Sequence, residues 1–254
     1  MSRHALLTAI MALACVAADG VARAQVIYST GFEAPTFTTG TLSGQGGWTV
    51  LGPTNLTVVE NTFASTGTQA VRINALGNID SGGAVLPVSF GIGNGPMVDV
   101  SVDQYFTTST HRSGGQQFVV FTPGGGYMAE AVMVNDGQLL IHSGLGNQSF
   151  AGPTLDAWHH WEFRLDFVGQ KFDFLLDGTT VASSLPFGAS STSAGFVTFQ
   201  YALPGDDHRY IDNLSISVAP VPEPSTLMLG FVVGAFGLGT VAWRRRGKSS
   251  QNQG

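Results

Sequence analysis

Cysteine is nearly missing from this chain. Of 254 residues one is a cysteine, Cys15, and it lies inside an N-terminal leader. The remainder therefore has no thiol nucleophile, no internal disulfide and no cysteine metal site. Charge is scarce as well, with 11 Lys and Arg against 17 Asp and Glu. Between Gln25 and Pro220 the only basic residues are Arg72, Arg112, Arg164, Lys171 and Arg209, against fifteen acidic ones. A net-negative surface of this kind is unsuited to nucleic acid or anionic lipid. Catalytic motifs are missing too. There is no Gly-x-Ser-x-Gly elbow, no His-Glu-x-x-His zinc motif and no Gly-x-Gly-x-x-Gly fingerprint. Gly247-Lys248-Ser249 imitates the end of a phosphate loop, but Ala242 stands where that loop needs glycine.

What is present begins with two processing segments, which have to be set aside before the fold is considered. Residues 1–24 read as a secretory signal peptide. Arg3 and His4 open it, Ala5 to Ala18 form an apolar run too short to span a bilayer comfortably, and Ala22-Arg23-Ala24 supplies small residues before a cut at Gln25. At the other end, residues 219–224 are a Pro-rich linker containing Pro222-Glu223-Pro224. Residues 225–243 carry no charge, and at about 1.5 Å per helical residue they just cover a hydrocarbon core of roughly 30 Å. Arg244, Arg245 and Arg246 follow in a basic tail, 244–254, which stops transfer and keeps the C-terminus cytoplasmic. The two ends agree on a topology in which the middle of the chain lies outside.

That middle, 25–218, is one domain-sized segment rich in Gly, Ser, Thr, Val and Phe. Its clearest signal has a period of two. Trp161, Phe163, Leu165 and Phe167 alternate with Glu162, Arg164 and Asp166, so a strand would bury one row and wet the other. Phe172, Phe174 and Leu176 alternate in the next run. Asp177-Gly178 is a tight hairpin turn leading to a third strand, and Asp136-Gly137 is a second turn of the same kind. Further strands are expected at Val26–Tyr28, Leu56–Glu60, Ala70–Asn74, Val85–Phe90, Met97–Phe106, Gln116–Thr122, Tyr127–Asn135, Gln138–His142, Phe196–Tyr201 and Tyr210–Val218. No stretch shows a sustained helical pattern. The expected fold is all-β: a two-sheet antiparallel jelly-roll or concanavalin-like sandwich, flanked by a signal peptide and one transmembrane helix.

Pro222-Glu223-Pro224, the apolar span and Arg244-Arg245-Arg246, in that order, resemble the PEP-CTERM sorting signal of Gram-negative bacteria. The resemblance implies transient insertion in the inner membrane and recognition by exosortase after signal peptidase has acted. It also implies cleavage near the Pro-Glu-Pro motif and delivery to the cell surface or an extracellular polysaccharide matrix. A plain, uncut anchor fits the same physics. Trp158-His159-His160 with Asp177-Gly178 resembles concanavalin-like and laminin-G-like sandwich domains. Some relatives of those domains are glucanases with two glutamates on one strand, a pattern this chain lacks. Glu33, Glu60, Glu130 and Glu162 are remote from one another in sequence, whereas glycosidic cleavage needs two carboxylates flanking one bond.

Gly31-Phe32-Glu33 and Tyr210-Ile211-Asp212 resemble the opening and closing segments of jelly-roll carbohydrate-binding modules. In those modules the carboxylates often ligate a structural calcium. Two readings of Glu33 and Asp212 stay open: ligands to one calcium, or hydrogen-bonded carboxylates at sheet ends. No other cofactor is implied. His159 and His160 are neighbours on a strand and point to opposite faces, so they are read as strand-entry residues. Asp206-Asp207-His208 reads as a solvated turn. For sugar stacking the candidate platforms are Trp48, Tyr105, Tyr127 and Tyr201, while Trp158 and Trp161 read as core. The leading expectation is a non-catalytic exported module that binds glycan or another matrix component. A structural surface protein without a specific ligand, and a diverged glycoside hydrolase, are the alternatives.

Overall fold

The computed structural model describes residues 24–76, 80–107, 115–134, 137–202 and 208–219. The signal peptide, the Pro-Glu-Pro motif, the apolar span, the arginine cluster, Asp136 and Asp206-Asp207 lie outside the described residues. One compact unit, Gln25–Ala219, holds the fold.

In chain order the strands are β1 (Val26–Thr30), β2 (Gly40–Thr41), β3 (Thr49–Leu51), β4 (Thr57–Glu60), β5 (Ala70–Leu76), β6 (Asp80–Ser81), β7 (Gly83–Gly91), β8 (Met97–Phe106) and β9 (Gly115–Phe121). There follow β10 (Tyr127–Met133), β11 (Gln138–Ser143), β12 (Gly146–Ala151), β13 (Trp158–Asp166), β14 (Lys171–Leu176), β15 (Thr179–Pro186), β16 (Ser193–Ala202) and β17 (His208–Val218). They form two antiparallel sheets. The ten-stranded sheet runs β15-β14-β13-β8-β17-β5-β4-β2, with β1 on β17 and β6 on β5. The seven-stranded sheet runs β12-β11-β10-β9-β16-β7-β3. The fold is thus the all-β sandwich expected from the alternation.

The alternation accounts for the layers. Along β8, Val98, Val100, Val102 and Phe106 are buried, while Asp99, Ser101, Asp103 and Tyr105 face out. On β13 Trp161, Phe163 and Leu165 are fully buried, and Glu162 and Arg164 lie opposite Ser101 and Asp99 on the wet face. The meander β13-β14-β15 forms as the pattern requires. Asp177 (φ 50°) and Gly178 (φ 74°) both adopt the positive φ demanded by the two-residue hairpin. Between the sheets the core is strongly aromatic. Phe118 of the seven-stranded sheet meets Phe163 of the other at 4.7 Å between ring centroids, and stacks on Phe199 at 5.2 Å. Rings of this size supply most of the burial that a sandwich needs.

Candidate functional site

Loop 61–69, between β4 and β5, crosses the outward face of the ten-stranded sheet and is held by two carboxylates. Glu33 Oε1 accepts the backbone N–H groups of Thr68 (2.7 Å) and Gln69 (2.9 Å), and Oε2 accepts the Thr68 hydroxyl at 2.7 Å. These bonds, led by the Thr68 hydroxyl, hold the Glu33 carboxyl below its ordinary range. Asp212 is fully buried on β17, and its Oδ2 accepts the N–H groups of Ser65 (2.9 Å) and Thr66 (3.2 Å). Its Oδ1 accepts the N–H of Asn213 at 2.7 Å. Burial nevertheless pushes its carboxyl up to about 6. Gly67 sits between the two clamps at φ +69°, where a β-carbon would run into the Glu33 carboxylate.

The terminal segments do bring Glu33 and Asp212 to one place. Asp212 Oδ1 and Glu33 Cγ both lie within 4 Å of the point that a β-carbon on Gly31 would occupy. Yet no group of three or more His, Cys, Asp or Glu side chains among the described residues is arranged to hold a metal ion. Three of the four carboxylate oxygens already accept loop or side-chain donors, and the fourth, Asp212 Oδ1, accepts the adjacent backbone. The two carboxylates lie near one point and both are hydrogen-bonded, which fits either reading of the pair.

Beside the clamp, Asp103 of β8 organises a polar cluster. Its Oδ1 accepts from His160 Nδ1 at 2.7 Å, and its Oδ2 from Ser65 Oγ at 2.7 Å and Asn213 Nδ2 at 2.8 Å. Burial works against the charge of Asp103, but the bonds from His160, Asn213 and Ser65 outweigh it and hold the carboxyl below its usual range. Donating to Asp103 raises His160 in return. His159 points elsewhere: its Nδ1 bonds Asp177 Oδ2 at 2.7 Å, at the hairpin turn. The adjacent histidines thus serve different carboxylates.

The clamped loop delivers Phe63 into a group of outward aromatic rings. Tyr105, Trp158 and Tyr210 come from β8, β13 and β17, where Tyr105 is the cross-strand partner of both others. Phe63 lies 4.5 Å from Tyr105, 5.0 Å from Tyr210 and 5.6 Å from Trp158, nearly parallel to the indole at 17°. All four are half-buried. On the β5 side the patch is bordered by Glu60, which accepts from the Tyr210 hydroxyl and from Thr62 Oγ1 at 2.7 Å, and forms an ion pair with Arg72, Nε to Oε2 2.9 Å. On the other side stand Asp103 and His160. Flat apolar faces flanked by hydrogen-bonding groups of both kinds suit a ligand with C–H faces and hydroxyl edges.

Of the four residues proposed as sugar platforms, Tyr105 is in this patch. Trp48 is not a surface residue: it is fully buried, packs against Phe32 and Phe199, and donates its indole N–H to the Tyr28 hydroxyl at 3.0 Å. Tyr127 is exposed at the start of β10, on the other sheet. Tyr201 lies on β16, with its side chain outside what is described. Trp158, read as core, faces out because the register sets it opposite Tyr105. Phe63 and Tyr210 were missed because their role depends on the loop clamp and on the β8–β17 register. The available signal was Ser65-Thr66-Gly67-Thr68, a short polar run around a glycine that precedes a strand.

Residues 220–246 match the model of the PEP-CTERM protein-sorting motif. The chain carries a PEP-CTERM sorting signal. That signal marks an exported protein processed at the membrane of a Gram-negative cell. No helix among the described residues is long and apolar enough to cross a membrane, and the apolar span of the signal lies outside them. No curated protein is significantly similar to the chain. Solved structures of similar fold include a sialidase (14% identity, TM-score 0.54, covering 72% of this chain but 18% of that one). A carbohydrate esterase of a Shiga toxin-encoding bacteriophage aligns at 16% identity over 77% of this chain and 99% of its own, TM-score 0.54. The Emp47p carbohydrate recognition domain aligns at 10% identity over 78% and 97%, TM-score 0.53. At these identities the likeness is one of fold: a lectin-like β-sandwich.

Proposed function

We propose that Gln25–Ala219 is a non-catalytic glycan-binding module of the bacterial surface or extracellular matrix, and that the patch Phe63, Tyr105, Trp158 and Tyr210 is its platform. The carrying observation is that four aromatic rings are gathered outside the core, one of them held there by a loop that two carboxylates fix in place. A ring patch with no partner to cover it would waste apolar surface. A sugar face stacked on it, with hydroxyls to Asp103, His160, Glu60 and Arg72, uses both its apolar and its polar parts. The carboxylates around the patch are engaged by His160, Ser65, Asn213, Thr62 and Arg72, which favours binding over acid–base chemistry. Three proteins of similar fold are named for carbohydrate, two as enzymes and one as a recognition domain, which supports a carbohydrate ligand.

In this account signal peptidase removes residues 1–24, and the apolar span 225–243 holds the chain in the inner membrane with Arg244–Arg246 inside. Exosortase then cuts near Pro222-Glu223-Pro224 and releases the module to the surface or matrix. Hydrogen-bonded clamps at Glu33 and Asp212 hold the loop that carries Phe63. The test is affinity electrophoresis of Gln25–Ala219, a compact unit that holds all the described core residues, through gels containing dextran, xylan or mixed-linkage β-glucan. Retardation by at least one neutral glycan is expected. Unretarded migration in all three gels, with the fold intact, would favour a structural role without a ligand.

A further inference from the structure

Of the seven large hydrophobic side chains exposed among the described residues, five lie at one end of the sandwich: Val26, Ile92, Tyr127, Leu145 and Val168. The strand register places them there. Met97 opens β8 at this end and pairs with Asp166, so the turn after β13 carries Val168 beside it. Ile92 stands in the turn from β7 to β8, Val26 pairs with Ser217 near the end of β17, and Tyr127 pairs with Phe121 where β9 closes. Leu145 sits in the β11–β12 turn, where Gly144 donates its N–H to Pro186 O at 3.0 Å. The other two, Leu51 and Leu155, belong to the opposite end, about 30 Å away along β8. Single apolar residues scattered over a surface need no explanation, but five gathered at one end call for one. The same end is nearly free of charge. Segments 25–27, 91–97, 122–127, 143–146, 166–171, 187–193 and 218–219 contain one acid, Asp166, and one base, Lys171, in a domain with fifteen acidic residues. Asp166 is engaged within its own turn, where Oδ1 accepts the N–H groups of Val168 (3.1 Å) and Gly169 (2.7 Å). Asn94 Oδ1 fixes the Ile92 turn in the same way, accepting the Gly91 N–H at 3.0 Å.

The chain also leaves the module at this end. Val218 N–H donates to Gln25 O at 2.8 Å and Ala219 N–H to Met97 O at 3.1 Å, so the backbone is held as far as its exit. Only residues 220–224 separate Ala219 from the apolar run 225–243, and five extended residues reach roughly 17 Å. The headgroup layer takes up about 6 Å of that. We infer that this end docks on the lipid surface while the apolar run is in the membrane, with Val26, Ile92, Tyr127, Leu145 and Val168 entering the headgroup region. The partner is the bilayer itself. One acid and one base give the end no net charge, so the contact rests on apolar burial and not on anionic lipid. The short linker supplies the local concentration that five side chains lack on their own. Docking fixes the height of residues 220–224 at the membrane surface, where a membrane-embedded protease meets them. It leaves the aromatic patch clear of the lipid, since Tyr105 and Trp158 pair at the far end of β8 and β13. The inference rests on the sorting reading of the tail and not on the glycan reading of that patch.

The test uses residues 25–254, which contain no cysteine, reconstituted at one chain per nanodisc of phosphatidylcholine. The single substitutions Ile92→Cys, Val168→Cys, Leu51→Cys and Leu155→Cys each carry an environment-sensitive fluorophore on an exposed side chain. Emission at positions 92 and 168 is expected to shift to the blue and to be quenched by nitroxide-labelled lipid. Positions 51 and 155 are expected to stay open to aqueous iodide and untouched by the lipid quencher. Adding phosphatidylglycerol or salt should change neither result. Val168→Asp with Leu145→Asp is expected to abolish the blue shift at position 92, with circular dichroism unchanged because both side chains are exposed. Water-like emission at both 92 and 168, in chains retained by the nanodiscs, overturns the docking and leaves the sorting reading standing. Chains that the nanodiscs do not retain overturn the sorting reading, and the docking with it. Equal lipid quenching at all four positions also overturns the inference, since neither end would then be preferred. So does a blue shift that appears only with two chains per disc, because the end would then be a self-interface.

Discussion

Asp212 is buried and bound to three backbone N–H groups, yet burial outweighs those bonds and its carboxyl titrates near 6. An acid whose folded value is raised is stabilised by protonation, so the fold gains from this group as pH falls through about 6 and loses as pH rises. Asp99, raised to about 6 by burial and by the charge of Glu162, acts in the same direction. His160, raised by Asp103, contributes stability that is present below 6.5 and lost above its folded value. Asp103 opposes them, but only at pH below its ordinary carboxylate range. The melting temperature is therefore expected to rise between pH 8 and pH 5, with Asp212 alone contributing on the order of 1 kcal/mol. Asp212→Asn should flatten the slope; an unchanged slope would show that burial of this carboxylate is not its source. Gly67 offers a second check. Alanine there meets left-handed strain of about 1–2 kcal/mol and a collision with the Glu33 carboxylate. Thermal denaturation of Gly67→Ala should show at least that loss.

At the scale of elements, the aromatic stack between the sheets should dominate stability. Phe163→Ala removes a ring in contact with Phe118, Phe172 and Phe174, and a cost of about 3–5 kcal/mol by chemical denaturation is expected. The strands that built this core were legible because alternation has only one cause, a face that is wet and a face that is not. Lys171–Leu176 and Met97–Phe106 were read to the residue. β12 was not, because Gly146–Ala151 is an edge strand with little burial and leaves no apolar row. The short β2, β3 and β6 are held by pairing rather than by pattern. The site was less legible than the fold for a related reason. An outward tryptophan and a core tryptophan look alike until the register is known, which is why Trp48 and Trp158 exchanged roles. Glu33 and Asp212 were found as a pair, because their segments close the sheet. What they bond, a polar loop with no hydrophobic period, is invisible to pattern.

For the whole molecule, export and binding separate cleanly. Replacing Arg244, Arg245 and Arg246 with serine should impair sorting of the full chain, seen as unprocessed protein in cell fractions, without altering the glycan affinity of Gln25–Ala219. The central claim concerns the outward patch of the ten-stranded sheet. Its most direct test is the affinity of Trp158→Ala for the neutral glycan that retards the wild type, measured by calorimetry. Truncation of a central aromatic anchor predicts a loss of about thirtyfold or more, with circular dichroism unchanged. Undiminished affinity in that folded variant would contradict the assignment of this patch as the platform.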